Sequence, residues 1–276
     1  MCLPLLCLPN IMFCISLITK TFTVVSLIIA LFLLGFLLIG NVSAAPAYSS
    51  VFMVNFKFNT TADAFSEVIS TNTSSIAKRS ITANYMGICA RLEDGKKVCS
   101  AAGNYTALDK YLSVGAQGTK ISLAEIASKF TEACHPRLLI VSLMLVVLLL
   151  LTVLWCTIPL LPSKPLIRKI SVGLCLLCIL IWGLGSMLQH QTVASTVKLV
   201  GPSSMGMVIA TKGGRAEAMT WTAFAFLLVV LGMLAKSVFQ DMRQAKPKAE
   251  PEPPRDPYPM QQERYYYAEP KKYGYA

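Results

Sequence analysis

Apolar residues fill four long runs along this chain, and the polar residues gather between them. Thr21–Gly40, Leu138–Leu160, Ile170–Leu188 and Ala218–Ala235 contain no Lys, Arg, Asp or Glu. Each run is close to the roughly 20 residues that cross the hydrocarbon of a bilayer as a helix. The pattern predicts spans at 21–40, 138–160, 170–188 and 218–239, joined by a long loop 41–137, a short connection 161–169 and a second loop 189–217. A leading segment 1–20 and a tail 240–276 flank them.

Within the long loop the period changes. Val51–Phe58 alternates, with Phe52, Val54, Phe56 and Phe58 on one face and Asn55 and Lys57 on the other, as a half-buried strand does. Ser122-Leu123-Ala124-Glu125 has the spacing of a capping box, and Leu123, Ile126, Ala127 and Phe130 recur at helical spacing until His135-Pro136. An amphipathic helix is expected there, its apolar face packed under a small sheet; contact with a membrane is the alternative use of such a face. Asn59–Ser80, rich in Ser, Thr and Asn, reads as a loop.

Tyr85-Met86-Gly87-Ile88-Cys89 and Lys96-Lys97-Val98-Cys99 read as the two arms of a hairpin. With Glu93-Asp94-Gly95 as a three-residue loop and Gly95 left-handed, Leu92 faces Lys96 and Cys89 faces Cys99. A two-residue Asp94-Gly95 turn would pair Cys99 with Ala90 and put the sulfurs on opposite faces. A Cys89–Cys99 disulfide therefore requires the longer loop, and closing so short a ring stabilises the hairpin by roughly 2–3 kcal/mol on the chain-entropy account.

These residues also carry a resemblance. Tyr85-Met86-Gly87-Ile88-Cys89 followed by Cys99 resembles the hydrophobic-hydrophobic-Gly-X-Cys…Cys signature of the fungal mating-factor-induced calcium-regulator and membrane-fusion family, four-span proteins distantly related to claudins. Where that signature has a further Gly, this chain has Asn84. The resemblance implies a claudin-like fold: an all-α transmembrane four-helix bundle with a small disulfide-closed β ectodomain. It also implies support of calcium influx and of membrane or cell fusion during mating, beside a membrane calcium channel or a fusion partner. In that reading Cys89 and Cys99 hold the hairpin, Gly87 permits a close backbone approach beside the disulfide, and Gly95 makes the turn. The alternative is a structural claudin-like tetraspan that organises plasma-membrane patches or senses the cell wall; a channel in its own right is a third.

Composition agrees with a membrane protein: 54% of the 276 residues are hydrophobic and 14% charged, with a mean hydropathy of +0.57. The net charge of +11 raises nucleic acid as a partner, but the cations are divided among the loops. Lys164, Arg168 and Lys169 crowd the short connection, and Lys236, Arg243, Lys246 and Lys248 follow the last span, so both places read as cytoplasmic. Sequons at Asn59, Asn72 and Asn104, with Asn41 close to the membrane, all fall in the long loop and place it outside. Both termini are then cytoplasmic, and the resemblance implies the plasma membrane as the location.

The remaining features admit more than one reading. Cys2, Cys7 and Cys14 suit an S-acylated anchor, an unstructured hydrophobic leader fits as well, and Val42-Ser43-Ala44 would suit signal cleavage before Ala45. The length of the apolar run favours a retained first span. Cys134 is left over once Cys89 and Cys99 pair, as a free thiol at the membrane edge or a bridge to a second copy. Cys175 and Cys178 have CxxC spacing, but no His or acid accompanies them, so packing is expected. In the second loop Val193–Val200 is a candidate strand, and Lys198, Lys212 and Arg215 outnumber Glu217, which makes a poor cation site. The Pro- and Tyr-rich tail offers docking to a cytosolic adaptor or serves as a solvated spacer.

Catalytic, cofactor and metal sites are absent from this reading. His135 and His190 stand alone at span ends, and the chain has no phosphate loop, HExxH or nucleophile–base pair. The long loop sets Asp63, Glu67, Glu93, Asp94, Asp109, Glu125 and Glu132 against ten cations, without an EF-hand spacing. A protein built so is no enzyme, and its bare spans suit a regulatory or scaffolding subunit better than a pore.

Overall fold

The structure, a computed structural model, describes residues 8–62, 76–101, 105–116, 119–157 and 164–244. In chain order the elements are α1 (Leu8–Ile39), α2 (Pro46–Ser49), β1 (Val54–Phe58), β2 (Ser80–Ala83), β3 (Gly87–Arg91), β4 (Lys97–Ala101), α3 (Thr106–Leu112), β5 (Ser113–Ala116), β6 (Thr119–Ser122), α4 (Leu123–Ala133), α5 (Arg137–Thr157), α6 (Lys164–Ser203), β7 (Val208–Lys212) and α7 (Gly214–Gln244). A compact unit ends at Val238, and a second unit starts at Phe239 with the last residues of α7.

The protein is mostly helical, and α1, α5, α6 and α7 are each long and apolar enough to cross a membrane. Their buried faces follow the helical period. Leu27, Ala30, Leu34 and Leu37 are wholly buried on α1, as are Val146 and Leu149 on α5, while Phe32, Leu151 and Leu180 stay exposed on outer faces. Polar and sulfur contacts mark where the helices meet: Thr23 Oγ1 lies 3.3 Å from Met233 Sδ between α1 and α7, and Cys175 Sγ lies 3.8 Å from Leu227 O between α6 and α7. Cys178 Sγ lies 3.9 Å from Ser142 O between α6 and α5. The CxxC pair thus points its thiols at two different helices.

Two expectations are corrected here. Residues 8–20 are helical and belong to α1, so an unstructured leader does not describe them; Pro9 falls in the first turn, where a missing N–H costs nothing. Val193–Val200 is not a strand. Val193, Val197 and Val200 recur at helical spacing and pack against the core, so α6 runs on to Ser203 as a 40-residue helix. The strand of the second loop is β7, further on.

That strand completes the sheet. Its five strands lie in the order β4-β3-β2-β1-β7, every pairing antiparallel, with β5 and β6 forming a separate hairpin. Phe56 stands opposite Ile81 and Ala210, and Ile81 opposite Ala90. These side chains are buried. They form the face that meets α4, where the Phe56 and Phe130 rings sit edge to face at 6.1 Å. Helix α4 begins as its capping sequence predicts, with Ser122 Oγ accepting from the Glu125 N–H at 3.2 Å.

Phe56→Ala should cost the sheet roughly 3–5 kcal/mol. Hydrogen exchange on detergent-solubilised protein should show the amides of β1–β3 opening faster while those of α5 stay protected; unchanged exchange in the sheet would contradict this placement of the core.

Candidate functional site

The signature residues lie where α1 runs into the sheet. A helix ending inside protein must find partners for its last carbonyls, and here asparagine amides serve. Asn84 Nδ2 donates to Leu37 O at 2.9 Å. Asn41 takes a left-handed backbone, φ 63°, which asparagine tolerates better than most residues, and its N–H donates to Tyr48 O at 2.9 Å. Its side chain then reaches across two strands: Asn41 Nδ2 donates to Thr82 O of β2 and, at 3.3 Å, to Gly87 O of β3. Thr82 Oγ1 lies 3.0 Å from Asn41 Oδ1 and 3.1 Å from Cys89 O. Both asparagines are wholly buried.

Gly87 sits against this peptide. A Cβ there would overlap the carbonyl carbon and oxygen of Asn41 and the nitrogen of Val42. Two residues on, Cys89 is bonded to Cys99, and its Sγ lies 3.1 Å from Asn41 O. Cys89 faces Cys99 and Arg91 faces Lys97. Leu92 N–H donates to Lys96 O at 2.9 Å, and Gly95 closes the three-residue loop at φ 75°. Ile88 is buried, whereas Met86 is exposed.

Tyr85 leads to a second feature. Its hydroxyl donates to Gln189 Oε1 of α6 at 3.1 Å, and Thr220 Oγ1 of α7 lies 3.2 Å from the same oxygen. Next to this trio a pocket of about 230 Å³ opens between the far end of α6 and the start of α7, with Met53, Val197, Lys198 and Trp221 on its walls. Glu217 is held between Lys212 Nζ at 3.1 Å and His190 Nδ1 at 3.4 Å, so the one carboxylate lining the pocket among the described residues already has a lysine and an imidazole beside it. Burial pushes the Tyr85 phenol well up, with Cys134 adding to the effect. Burial likewise pushes the Cys134 thiol up to about 12, partly offset by a hydrogen bond with Thr192. A thiol so buried is not presented for a bridge to a second copy.

Of the sequon asparagines, Asn59 is half-buried; its Nδ2 donates to Gly206 O at 2.9 Å and its Oδ1 accepts from Thr61 Oγ1 at 2.7 Å. Asn72 and Asn104 lie outside the described residues, as do Cys2, Cys7 and the tail beyond Gln244. Calcium takes about six to eight oxygen ligands, and among the described residues no three His, Cys, Asp or Glu side chains gather to hold a metal ion. Asn41 is the residue that sequence reasoning passed over: it read as a sequon near the membrane, although Gly40-Asn41 directly after an apolar run is also a helix C-terminal signal.

Residues 65–239 match the family described as Ca2+ regulator and membrane fusion protein Fig1. The chain belongs to this family. It is also similar to the Factor-induced gene 1 protein of Saccharomyces cerevisiae, 27% identical over 271 residues that cover 86% of this chain and 88% of the relative. The part that matches the Fig1 family holds β2–β4 with the disulfide, α4 and the apolar helices α5, α6 and α7. The partners of the signature on the other side of the junction, Leu37, Asn41 and Tyr48, precede it.

Two outcomes follow for this Fig1-family chain. Gly87→Ala should displace the Asn41 peptide and unmake its bonds to β2 and β3, at about 1–3 kcal/mol for each buried group left unpaired; non-reducing gels should show less Cys89–Cys99 disulfide and surface labelling should fall, whereas Gly95→Asn should be far milder. Cys134 should resist maleimide at neutral pH in the folded protein and react once it is denatured. Because the folded thiol titrates near 12 and the unfolded one near 9, the stability held by its burial is whole below the unfolded value and is lost as pH rises toward the folded one. Labelling and unfolding should therefore rise together across that alkaline window.

Proposed function

We propose that this chain is a plasma-membrane protein that supports calcium influx and membrane or cell fusion during fungal mating, acting as a regulatory or scaffolding subunit. The observation that carries the reading is the stretch matched to the family of Ca2+ regulator and membrane fusion proteins: it unites a disulfide-closed sheet with apolar helices whose central runs bear no Lys, Arg, Asp or Glu. Ion pathways through a bundle generally rest on such residues or on rings of polar backbone. Without them, an action on a separate channel or a fusion partner fits better than conduction. The relative's name, Factor-induced gene 1 protein, supports a role tied to mating stimulation.

In this proposal the architecture is claudin-like, with the sheet outside the cell and both termini inside. The sequons of the long loop and the cations beside Arg168 and after α7 support that orientation. The disulfide supports an oxidising side for the sheet. Met86, exposed between the buried Tyr85 and Gly87, and the rim of the hairpin supply the surface that meets a partner.

Calcium uptake in mating-stimulated cells lacking the chain, complemented by the wild type or by Cys89→Ser/Cys99→Ser shown to reach the surface, tests the reading. Uptake should fall several-fold in the deletion and return with the wild type but not with the variant. Unchanged uptake in the deletion would sink the calcium role and favour a structural tetraspan.

A further inference from the structure

The face of the sheet opposite α4 carries an unbalanced row of charge. Across four strands, Lys57, Ser80, Arg91 and Lys97 stand in one register, Lys57 opposite Ser80, Ser80 opposite Arg91, and Arg91 opposite Lys97. Side chains directly opposite each other in an antiparallel pair are only about 5 Å apart at Cβ, and like charges there are destabilising. Among the described residues neither Lys57 nor Arg91 has an acidic partner. Lys97 donates to Ser49 Oγ at 2.8 Å, and the nearby Glu93 is drawn to Arg79 at 3.8 Å. Two adjoining clefts of about 170 and 300 Å³ open along the row, and Lys57, Ser80 and Arg91 line both.

The row also lies at the end of β1 and β3 away from the α1 junction. Strands β1 and β3 leave the junction at Val54 and Gly87, and the row lies at their other end, at Lys57 and Arg91. At about 3.3 Å per residue, Arg91 stands roughly 13 Å beyond Gly87 and its contact with Asn41. The distal rim holds Lys57, Lys78, Arg79, Arg91, Lys96 and Lys97 against Glu93 and Asp94 among the described residues. A cationic surface at the end of the sheet away from the α1 junction, with like charges directly opposed at Arg91 and Lys97, is complementary to the phosphates of a facing membrane.

We propose that this row is a binding site for the phosphate headgroups of anionic phospholipids in an apposed membrane, Lys57 and Arg91 being the two of its cations that have no hydrogen-bond or acidic partner among the described residues. The inference deepens the fusion part of the proposed function and rests on the sheet lying outside the cell. It does not rest on calcium.

The test uses the full chain in phosphatidylcholine nanodiscs, floated with vesicles of phosphatidylcholine alone or with added phosphatidylserine. Capture should require phosphatidylserine, fade as salt rises, and fall about 30-fold in Lys57→Gln/Arg91→Gln, given what a cation contributes beside an anionic surface. Lys110→Gln/Lys129→Gln, with the same charge loss elsewhere, should bind as the wild type does. Since removing Arg91 relieves repulsion, the first variant should keep its disulfide and melt no lower than wild type. A lower melting temperature would make the row structural and overturn the proposal. So would capture that ignores phosphatidylserine, loss of charge at either pair having equal effect, or retention on an acidic polysaccharide or by free glycerophosphate in place of vesicles. Nanodiscs expose both faces of the protein, so failure here would leave the calcium-uptake result untouched, and failure of uptake would leave capture in place.

Discussion

The buried amides of Asn41 and Asn84 are what the rest of this protein depends on. A membrane helix that ends against a sheet brings two sets of backbone groups together, the last carbonyls of the helix and the peptide groups of strands β2 and β3, and water cannot serve either once they are covered. Asn84 takes the helix carbonyl at Leu37, and Asn41 bridges Thr82 and Gly87. The Asn41–Val42 peptide can approach β3 so closely only because Gly87 has no side chain. The disulfide then closes the same corner, with Cys89 against the Asn41 carbonyl. Helix direction, strand register and the covalent bridge meet in one small cluster, and Gly87-Ile88-Cys89 is its imprint on the sequence.

From that corner the sheet divides the work between its faces. One face buries Phe56, Ile81 and Ala90 and packs on α4. The other carries the disulfide and, further out, Lys57, Arg91 and Lys97. The apolar face makes the sheet stable enough to hold the charged one in an arrangement that is locally unfavourable.

A second consequence comes from α6. A helix of 40 residues is about 60 Å long, about twice what a bilayer's hydrocarbon requires. Its excess length places Gln189 under Tyr85 and Val197 beside the start of α7, which ties the signature strand to the third and fourth apolar helices. In the pocket that opens there, Glu217 is flanked by Lys212 and His190.

Much was legible in the sequence because it rests on local rules. The four apolar helices follow from run length, the start of α4 from Ser122 and Glu125, and the hairpin from the spacing of Cys89, Gly95 and Cys99, since period and turn geometry are properties of neighbouring residues. The tertiary structure alone decided the rest. The faces of α1 and α5 cannot be told in runs that are apolar all round, so only packing shows that Leu27 and Leu149 are inside and Phe32 and Leu151 outside. Val193–Val200 is β-branched enough to suggest a strand, yet its period of burial against the core makes it helix. The fifth strand, the burial of Asn41 and the alignment of Lys57 with Arg91 all join residues far apart in the chain. Such contacts depend on register and approach between elements, which no local spacing encodes.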